Sequence, residues 1–301
     1  MRFKKFLLEQ EDPVKEIIKL FKTDYSDAYK LETALYRGLS NHLYKPYEIR
    51  TKDRFTTPRK QKGLKPFAIE TMFEICPEWK KFPDRTKSFI FTVNKEEADF
   101  FNKGGIVRVF PKNGAKIAIA PTDFNYYNEW PMIEKYELKG ISYDFAYELI
   151  PQCYILCSEI FDIVDMPLIS GSSRTRNWFE KNFKTIFEYF SKHYVGKDVE
   201  KEFKKIIGTE KFKKENEIKS TFDIALSDTR FLKTLTKDFN GDLEKMCKTL
   251  FSPDNNEFDI ITTNQLDKHP KKLKSELWTT DECLIMSEET VEVIERAMNR
   301  G

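Results

Sequence analysis

Cysteine and histidine are scarce in this chain, and their spacing excludes the common metal and disulfide scaffolds. The 301 residues include 5 cysteines and 3 histidines. No C-x-x-C pair occurs, and the histidines show no metal-ligand spacing. An odd number of cysteines also argues against a disulfide framework. We therefore expect reduced thiols, as in a cytoplasm, and no metal site.

A long apolar run and a strong net charge are also lacking. No stretch approaches the 18 apolar residues of a membrane span, and the start MRFKKFLLEQEDP has no signal-peptide core. We therefore expect no membrane partner. Basic residues number 51 and acidic residues 49, so a general electrostatic attraction to nucleic acid is not indicated. A hydrophobic fraction of 40% is typical of a globular chain.

Helical patterns flank a strand-rich segment, and a last pair of strands follows much later in the chain. This order predicts the α+β class. Helices are predicted over 13–36, with a second helical stretch over 26–35, and over 66–80, 95–102, most of 177–250 and after Ser287. A long polar loop is predicted over 40–66. Strands are predicted over 34–39, 88–93, 106–110, 115–120, 276–279 and 283–286, with hairpin turns at 111–114 and 280–282.

Three separated motifs carry chemistry. The first is LYRGL over 35–39, with Arg37 and Gly38 at a strand end. The second is SFIFTVNKEEADFF over 88–101, in which a strand leads into a short helix. The third is ELWTTDECLIM over 276–286, in which Glu276 opens a strand and Glu282 follows close behind.

These motifs resemble the Arg–Ser–Glu class of mono-ADP-ribosyltransferases. In that family a strand-borne arginine follows an aromatic residue, a Ser-Thr-Ser strand precedes an Ala-x-x-Phe helix, and the catalytic glutamate begins a late strand. The segment VRVFPKNGAKIAIAP over 107–121 looks like the family's hairpin. The resemblance implies a split β-sandwich with N-terminal helices, a helical insertion at about 177–250, and NAD as a substrate.

The resemblance assigns a role to each residue type. Arg37 with Gly38 would bind NAD, because a guanidinium fork grips pyrophosphate. Ser88 or Thr92 would order the ribose and the glutamate. A carboxylate facing the ribose stabilises the positive charge that develops as nicotinamide leaves. Either Phe91 or Tyr36 would stack the nicotinamide.

The sequence departs from the family pattern in two places. Phe91-Thr92-Val93 stands where Ser-Thr-Ser is expected, and no Glu-x-Glu or Gln-x-Glu is present. Because the first Glu or Gln of that motif is missing, the sequence does not indicate which molecule accepts the ADP-ribose. A host protein and a nucleic acid both remain candidates. Glu276 is preferred as the catalytic residue because it opens the ELW strand, and Glu282 fits almost as well.

Two further arginines lie where a second phosphate or substrate contact is expected. Arg54 belongs to the polar loop, and Arg85 directly precedes the middle strand. The alternative for both is an ordinary surface salt bridge.

The first nine residues, MRFKKFLLE, resemble the leader of internal head proteins in large tailed bacteriophages. Such leaders are cut after a Leu-x-Glu site, and Leu7-Leu8-Glu9 matches it. The resemblance implies residence in the virion interior, the host cytoplasm, or both, with 10–301 forming the enzyme. An ordinary amphipathic N-terminal helix is the alternative.

Two other functions remain compatible with the sequence. One is a catalytically inactive binding module on the same fold, serving as an anti-defence or nucleotide-sequestering phage protein. The other is a structural internal head protein. NAD binding and nicotinamide release separate the three, and the sequence does not indicate an oligomeric state.

Overall fold

The computed structural model describes residues 11–41, 47–50, 76–100, 102–121, 130–138, 150–158, 160, 173–210, 212, 228–268 and 276–299. The proposed leader and Arg54 lie outside these residues. The chain divides into two compact units. Unit 1 comprises Met1–Arg59, Lys80–Phe124 and Glu257–Gly301, and unit 2 comprises Lys60–Trp79 and Asn125–Asn256.

Unit 1 contains eight described strands, all paired antiparallel in one sheet. They are β1 (Tyr36–Gly38), β2 (Tyr47–Arg50), β3 (Phe89–Thr92), β4 (Ile106–Pro111), β5 (Lys116–Ile119), β6 (Asp259–Thr262), β7 (Glu276–Thr279) and β8 (Cys283–Ser287). Their order across the sheet is β2-β8-β4-β1-β3-β7-β5-β6.

The connections of unit 1 force this sheet to curl. Three residues join Thr279 of β7 to Cys283 of β8, so the two Cα atoms lie at most about 14 Å apart. In a flat sheet of this order the same strands would be four spacings apart, about 19 Å. The ladder is thinnest between β1 and β3, where only Tyr36 and Thr92 pair. The sheet therefore curls over the span from β8 to β7, and these two strands lie closer together than they would in a flat sheet.

One face of the curled sheet is lined with apolar side chains that form the core of unit 1. Leu35, Phe89, Phe91, Val109 and Leu277 are buried in one cluster with residues of β5, β6 and β8. Because side chains alternate along a strand, these positions all belong to the same face.

Helices cover the other face where it carries β4 and β8. These helices are α1 (Glu11–Lys22), α2 (Ser26–Tyr29) and α10 (Glu288–Met298), and α3 (Lys95–Phe100) follows β3. Ile17 and Phe21 of α1 and Ile294 of α10 pack with Phe110 and Leu284 of the sheet. Ser287 caps α10 by accepting a hydrogen bond at Oγ from the Thr290 amide at 3.2 Å. Short 3₁₀ turns span Pro77–Lys81, Arg85–Lys87 and Thr263–Lys268.

Unit 2 is helical in its described part. It contains α4 (Pro131–Lys135), α5 (Ile150–Leu156), α6 (Ser173–His193), α7 (Val199–Ile207), α8 (Arg230–Phe239) and α9 (Leu243–Phe251). Buried Asn256 joins two of its segments: its amide nitrogen donates to the Leu250 and Ser252 carbonyls, and its Oδ1 accepts from the Met132 amide. None of the helices in the described residues of either unit is long and apolar enough to cross a membrane.

The α+β prediction is confirmed, and so are the strands around 36–38, 89–92, 106–111, 116–119, 276–279 and 283–287. The helical prediction for 177–250 is also confirmed over its described residues, and these helices belong to unit 2. The first helix ends at Lys22 rather than continuing to 36, and the second helical stretch begins at Ser26 as predicted but ends at Tyr29. Two strands were not predicted: β2, within the polar loop, and β6.

Both hairpin predictions are wrong. The turns at 111–114 and 280–282 exist, but β4 pairs with β1 and β8 whereas β5 pairs with β6 and β7. Likewise β7 and β8 are neighbours along the chain but not across the sheet. Each turn instead connects two strands that lie on opposite sides of β1 and β3 in the strand order.

Candidate functional site

Four side chains form one row across the centre of the sheet. Arg108 of β4 pairs with Tyr36 of β1, Tyr36 pairs with Thr92 of β3, and Thr92 pairs with Glu276 of β7. Directly paired residues of antiparallel strands project to the same face, and their Cβ atoms lie about 5 Å apart. This set, the central row, therefore places the second and third sequence motifs side by side.

Glu276 is held by an arginine fork. Arg85 donates from Nε to Oε1 at 2.6 Å and from a terminal nitrogen to Oε2 at 2.8 Å. The Arg85 side chain is 8% exposed and that of Glu276 25%, so the pair is largely shielded from water. A bidentate pair fixes both the position and the plane of the carboxylate. The sequence placed Arg85 beside the site, and its structural partner is the candidate catalytic residue itself.

The turn before β3 positions Arg85. Ser88 is fully buried, and its hydroxyl donates to the Asp84 carbonyl at 2.7 Å. The Ser88 amide also donates to the Arg85 carbonyl at 3.3 Å. These two bonds close the 3₁₀ turn that leads into β3. These contacts of Ser88 support the backbone around Arg85, and Thr92 is the hydroxyl residue next to Glu276.

Thr92 joins the strand end to the following helix. Its hydroxyl donates to Glu97 Oε2 at 2.9 Å and accepts from the Asn94 amide at 3.1 Å. Asn94 accepts from the Glu96 amide at 2.9 Å, as a helix cap does. Thr92 thus lies between two carboxylates, Glu276 across the strands and Glu97 along the chain. The sequence analysis did not indicate this contact between Thr92 and Glu97.

Arg37 lies on the opposite face of the sheet from the central row. It follows Tyr36 in β1, and alternation directs its side chain to the face of Leu35 and Leu39. Its guanidinium lies 4.9 Å from the Phe89 ring centre and donates to the Ile90 carbonyl. The structure therefore brings Arg37 next to β3 but separates it from Glu276.

Two other predicted cofactor residues are also placed away from the row. Phe91 is 2% exposed and belongs to the apolar core, so it presents no face to a ligand. Gly38 ends β1, is buried, and pairs with Ile106. Of the two aromatic candidates for stacking, Tyr36 is the half-buried one that lies in the central row.

Glu282 lies beyond the far end of β7 from Glu276. Tyr25 donates its hydroxyl hydrogen to Glu282 Oε1 at 2.6 Å, and the Lys112 ammonium lies 3.4 Å from the same oxygen. Burial and this hydrogen bond raise the pKa of Tyr25 above its usual value. These contacts tie the turn before β8 to the segment after α1 and to the turn after β4. Glu282 therefore connects parts of the fold, and Glu276 is the glutamate that belongs to the central row.

Tyr36 has two cationic neighbours that the sequence motifs did not indicate. The Arg108 guanidinium lies 5.6 Å from the Tyr36 ring centre, and the Lys95 ammonium lies 5.9 Å from it. The sequence feature that could have indicated Arg108 is its charge within the apolar run Ile106-Val107-Arg108-Val109-Phe110. A charged residue inside such a strand is unusual.

The described residues contain no group of three or more His, Cys, Asp or Glu that could hold a metal ion. Comparisons with protein-family models, with curated proteins and with solved structures found no match.

Proposed function

We propose that this chain is an NAD-dependent mono-ADP-ribosyltransferase that modifies a host macromolecule during phage infection. The observation that carries the proposal is the pairing of Thr92 with Glu276 in neighbouring strands, with the strand of the first motif alongside. Three motifs that are far apart in sequence thereby become adjacent strands. The curl of the sheet around one core also agrees with the split β-sandwich expected from the resemblance.

The chemistry assigned to Glu276 follows from its charge and its fixed position. When the bond between nicotinamide and ribose breaks, positive charge develops on the ribose ring. A carboxylate already oriented towards that ring stabilises the charge without having to rearrange during the reaction. Arg85 orients Glu276, and Thr92 is the neighbouring hydroxyl that contacts the ribose.

The decisive test is Glu276→Gln. The amide retains the shape of the side chain but removes its charge, so we expect nicotinamide release and transfer to fall on the order of 100-fold or more. Glu282→Gln is the matched control, and we expect it to retain near-wild-type activity because Glu282 lies at the other end of β7. Circular dichroism of both variants checks the fold. Full transfer by Glu276→Gln would reject the assignment.

The acceptor is a host protein or a nucleic acid. Incubation of host lysate with NAD labelled in the ADP-ribose part, followed by protease or nuclease digestion, separates these two classes. Label that survives nuclease but not protease identifies a protein acceptor. The opposite pattern identifies a nucleic acid.

A non-enzymatic binding module is the second candidate, and one observation favours it. The Arg85 fork engages both oxygens of Glu276, and Arg37 lies on the other face of the sheet. A calorimetric titration with NAD together with a nicotinamide-release assay separates the two functions. NAD binding without nicotinamide release would identify the binding module.

A further inference from the structure

Arg108 is a half-buried cation without a counter-ion among the described residues. Arg85, Arg230 and Arg296 each form an ion pair with a carboxylate. No ion pair or hydrogen bond of Arg108 is found in the described part of the chain, and its Nε is buried without a hydrogen-bond partner. A charge that is partly removed from water and left unpaired is costly. Arg108 is therefore available to bind an external anion.

The position of the Arg108 side chain is fixed by its surroundings. Its strand β4 lies between β1 and β8 in the interior of the sheet. The guanidinium carbon lies 5.6 Å from the Tyr36 ring centre and 5.5 Å from that of Phe110. Because Nε is the buried atom and the residue as a whole is only partly buried, the exposed part lies towards the two terminal nitrogens. A guanidinium held in this way loses little conformational entropy on binding a ligand.

A second cation converges on the same aromatic ring. The Lys95 ammonium lies 5.9 Å from the Tyr36 ring centre. It forms an ion pair with Glu288 at 2.6 Å, which raises the pKa of Lys95, and the nearby charge of Arg108 opposes that rise. Glu288 thus neutralises Lys95, whereas no carboxylate of the described residues pairs with Arg108. The unpaired charge of Arg108 favours an anionic ligand over a neutral or cationic one.

The position of Arg108 in the central row indicates which anion fits. Arg108 and Glu276 stand at the two ends of the central row, on strands that are separated by β1 and β3. A ligand that touches both ends is therefore larger than a single phosphate. A dinucleotide has this property, because its phosphates are separated from the reacting glycosidic bond by a ribose.

We propose that Arg108 and Lys95 form a phosphate-binding subsite around Tyr36 that receives the pyrophosphate of a dinucleotide. The identification of the dinucleotide rests on the proposed function, whereas the subsite itself rests on the unpaired cation and its position. The subsite assigns to β4 the anion-binding role that the motif resemblance assigned to Arg37.

Calorimetric titration with pyrophosphate and with ADP-ribose tests the subsite without requiring turnover. We expect the Kd for both probes to rise about tenfold or more in Arg108→Met, which keeps the aliphatic stem but loses the charge. Arg108→Lys should recover part of the affinity, because the charge returns without the fork. Lys95→Met, at an exposed position where a folding defect is not expected, should show a smaller rise. Arg296→Met removes a charge from α10 and serves as the control that binds normally.

The outcomes separate this subsite from the proposed function. An unchanged Kd for both probes in Arg108→Met and Lys95→Met, or no binding of either probe to the wild-type chain, would overturn the subsite. Loss of transfer in Glu276→Gln with unchanged binding in the Arg108 variants rejects the subsite and retains the enzyme. Binding that depends on Arg108 in a wild-type chain that releases no nicotinamide retains the subsite and rejects the enzyme.

Discussion

At the scale of single residues, the arrangement around Glu276 depends on Arg85. Arg85→Met removes the fork but leaves an aliphatic stem of similar length. We expect kcat to fall about tenfold or more because the carboxylate loses its fixed orientation, with a smaller change in KM. We also expect the free energy of unfolding to fall by about 2 kcal/mol, since Glu276 keeps a shielded charge without its partner. Steady-state nicotinamide release and urea unfolding measure these two effects.

Two comparisons make the Arg85 experiment specific to the fork. Arg85→Lys restores the charge as a single point and should recover only part of kcat. Lys87→Met removes a cation from the same turn, where Lys87 pairs with Asp84 in a half-exposed ion pair, and should change neither quantity much. A higher kcat in Arg85→Met would mean that the fork restrains Glu276 rather than orienting it, which contradicts the positioning role.

The sequence motifs predicted that Glu276, Thr92 and Arg85 lie close together, but not on which face of the sheet Arg37 lies. Glu276 and Thr92 could be proposed because each lies at the end of a recognisable strand, and Arg85 because it precedes the middle strand. The separation of Arg37 from them follows from alternation, since Leu35, Arg37 and Leu39 share one face of an apolar segment. Arg37 was assigned from the similarity of LYRGL to the family motif rather than from this alternation. Arg108 was not proposed because its role depends on which strands lie beside β4.

At the scale of elements, the sequence predicted where most strands lie but not how they pair. A short turn between two strands favours a hairpin. This prediction failed at both turns because three other strands lie between the two that each turn joins. They are β1, β3 and β7 between β4 and β5, and β4, β1 and β3 between β8 and β7. The strand β2 was missed because Tyr47–Arg50 carries two charged residues within a polar segment. Such pairings depend on long-range packing that local patterns do not contain.

The last helix was predicted correctly because its start has a strong local signal. Ser287 accepts a hydrogen bond from the Thr290 amide, and Glu288 and Glu289 complement the helix dipole. We expect Ser287→Ala to lower the free energy of unfolding by about 1 kcal/mol, and Ser287→Asn to retain most of it. Urea unfolding of the two variants provides the measurement. Equal losses in both would show that the cap is not what stabilises this end of α10.

At the scale of the whole molecule, the curl of the sheet results from connection length. The three-residue link between β7 and β8 is shorter than the flat distance between their places in the strand order. The lengths of both strands and of the link were visible in the sequence, but the strand order was not. A fold of this type therefore becomes predictable only once the pairing of β1 with β3 is known.

The stability of the whole chain should fall steeply at alkaline pH. All five cysteines are buried and free. Burial raises the pKa of Cys76 to about 12 and raises the pKa values of Cys153, Cys157, Cys247 and Cys283 above the usual range. In the unfolded chain each thiol has a pKa of about 8.5. Above that pH the unfolded state therefore binds fewer protons than the folded state. The stabilisation is therefore complete below about pH 8.5 and is lost as the pH rises.

The slope of that loss can be estimated and measured. Each buried thiol contributes about 1.4 kcal/mol per pH unit above its unfolded pKa, so five contribute about 7 kcal/mol per unit at most. Urea midpoints under reducing conditions from pH 7 to 11 give the slope, and Cys283→Ala should reduce it by about one fifth. A thiol-specific reagent should label the folded chain slowly at pH 8 and label all five thiols after unfolding. Rapid labelling of the folded chain would contradict the burial on which this argument depends.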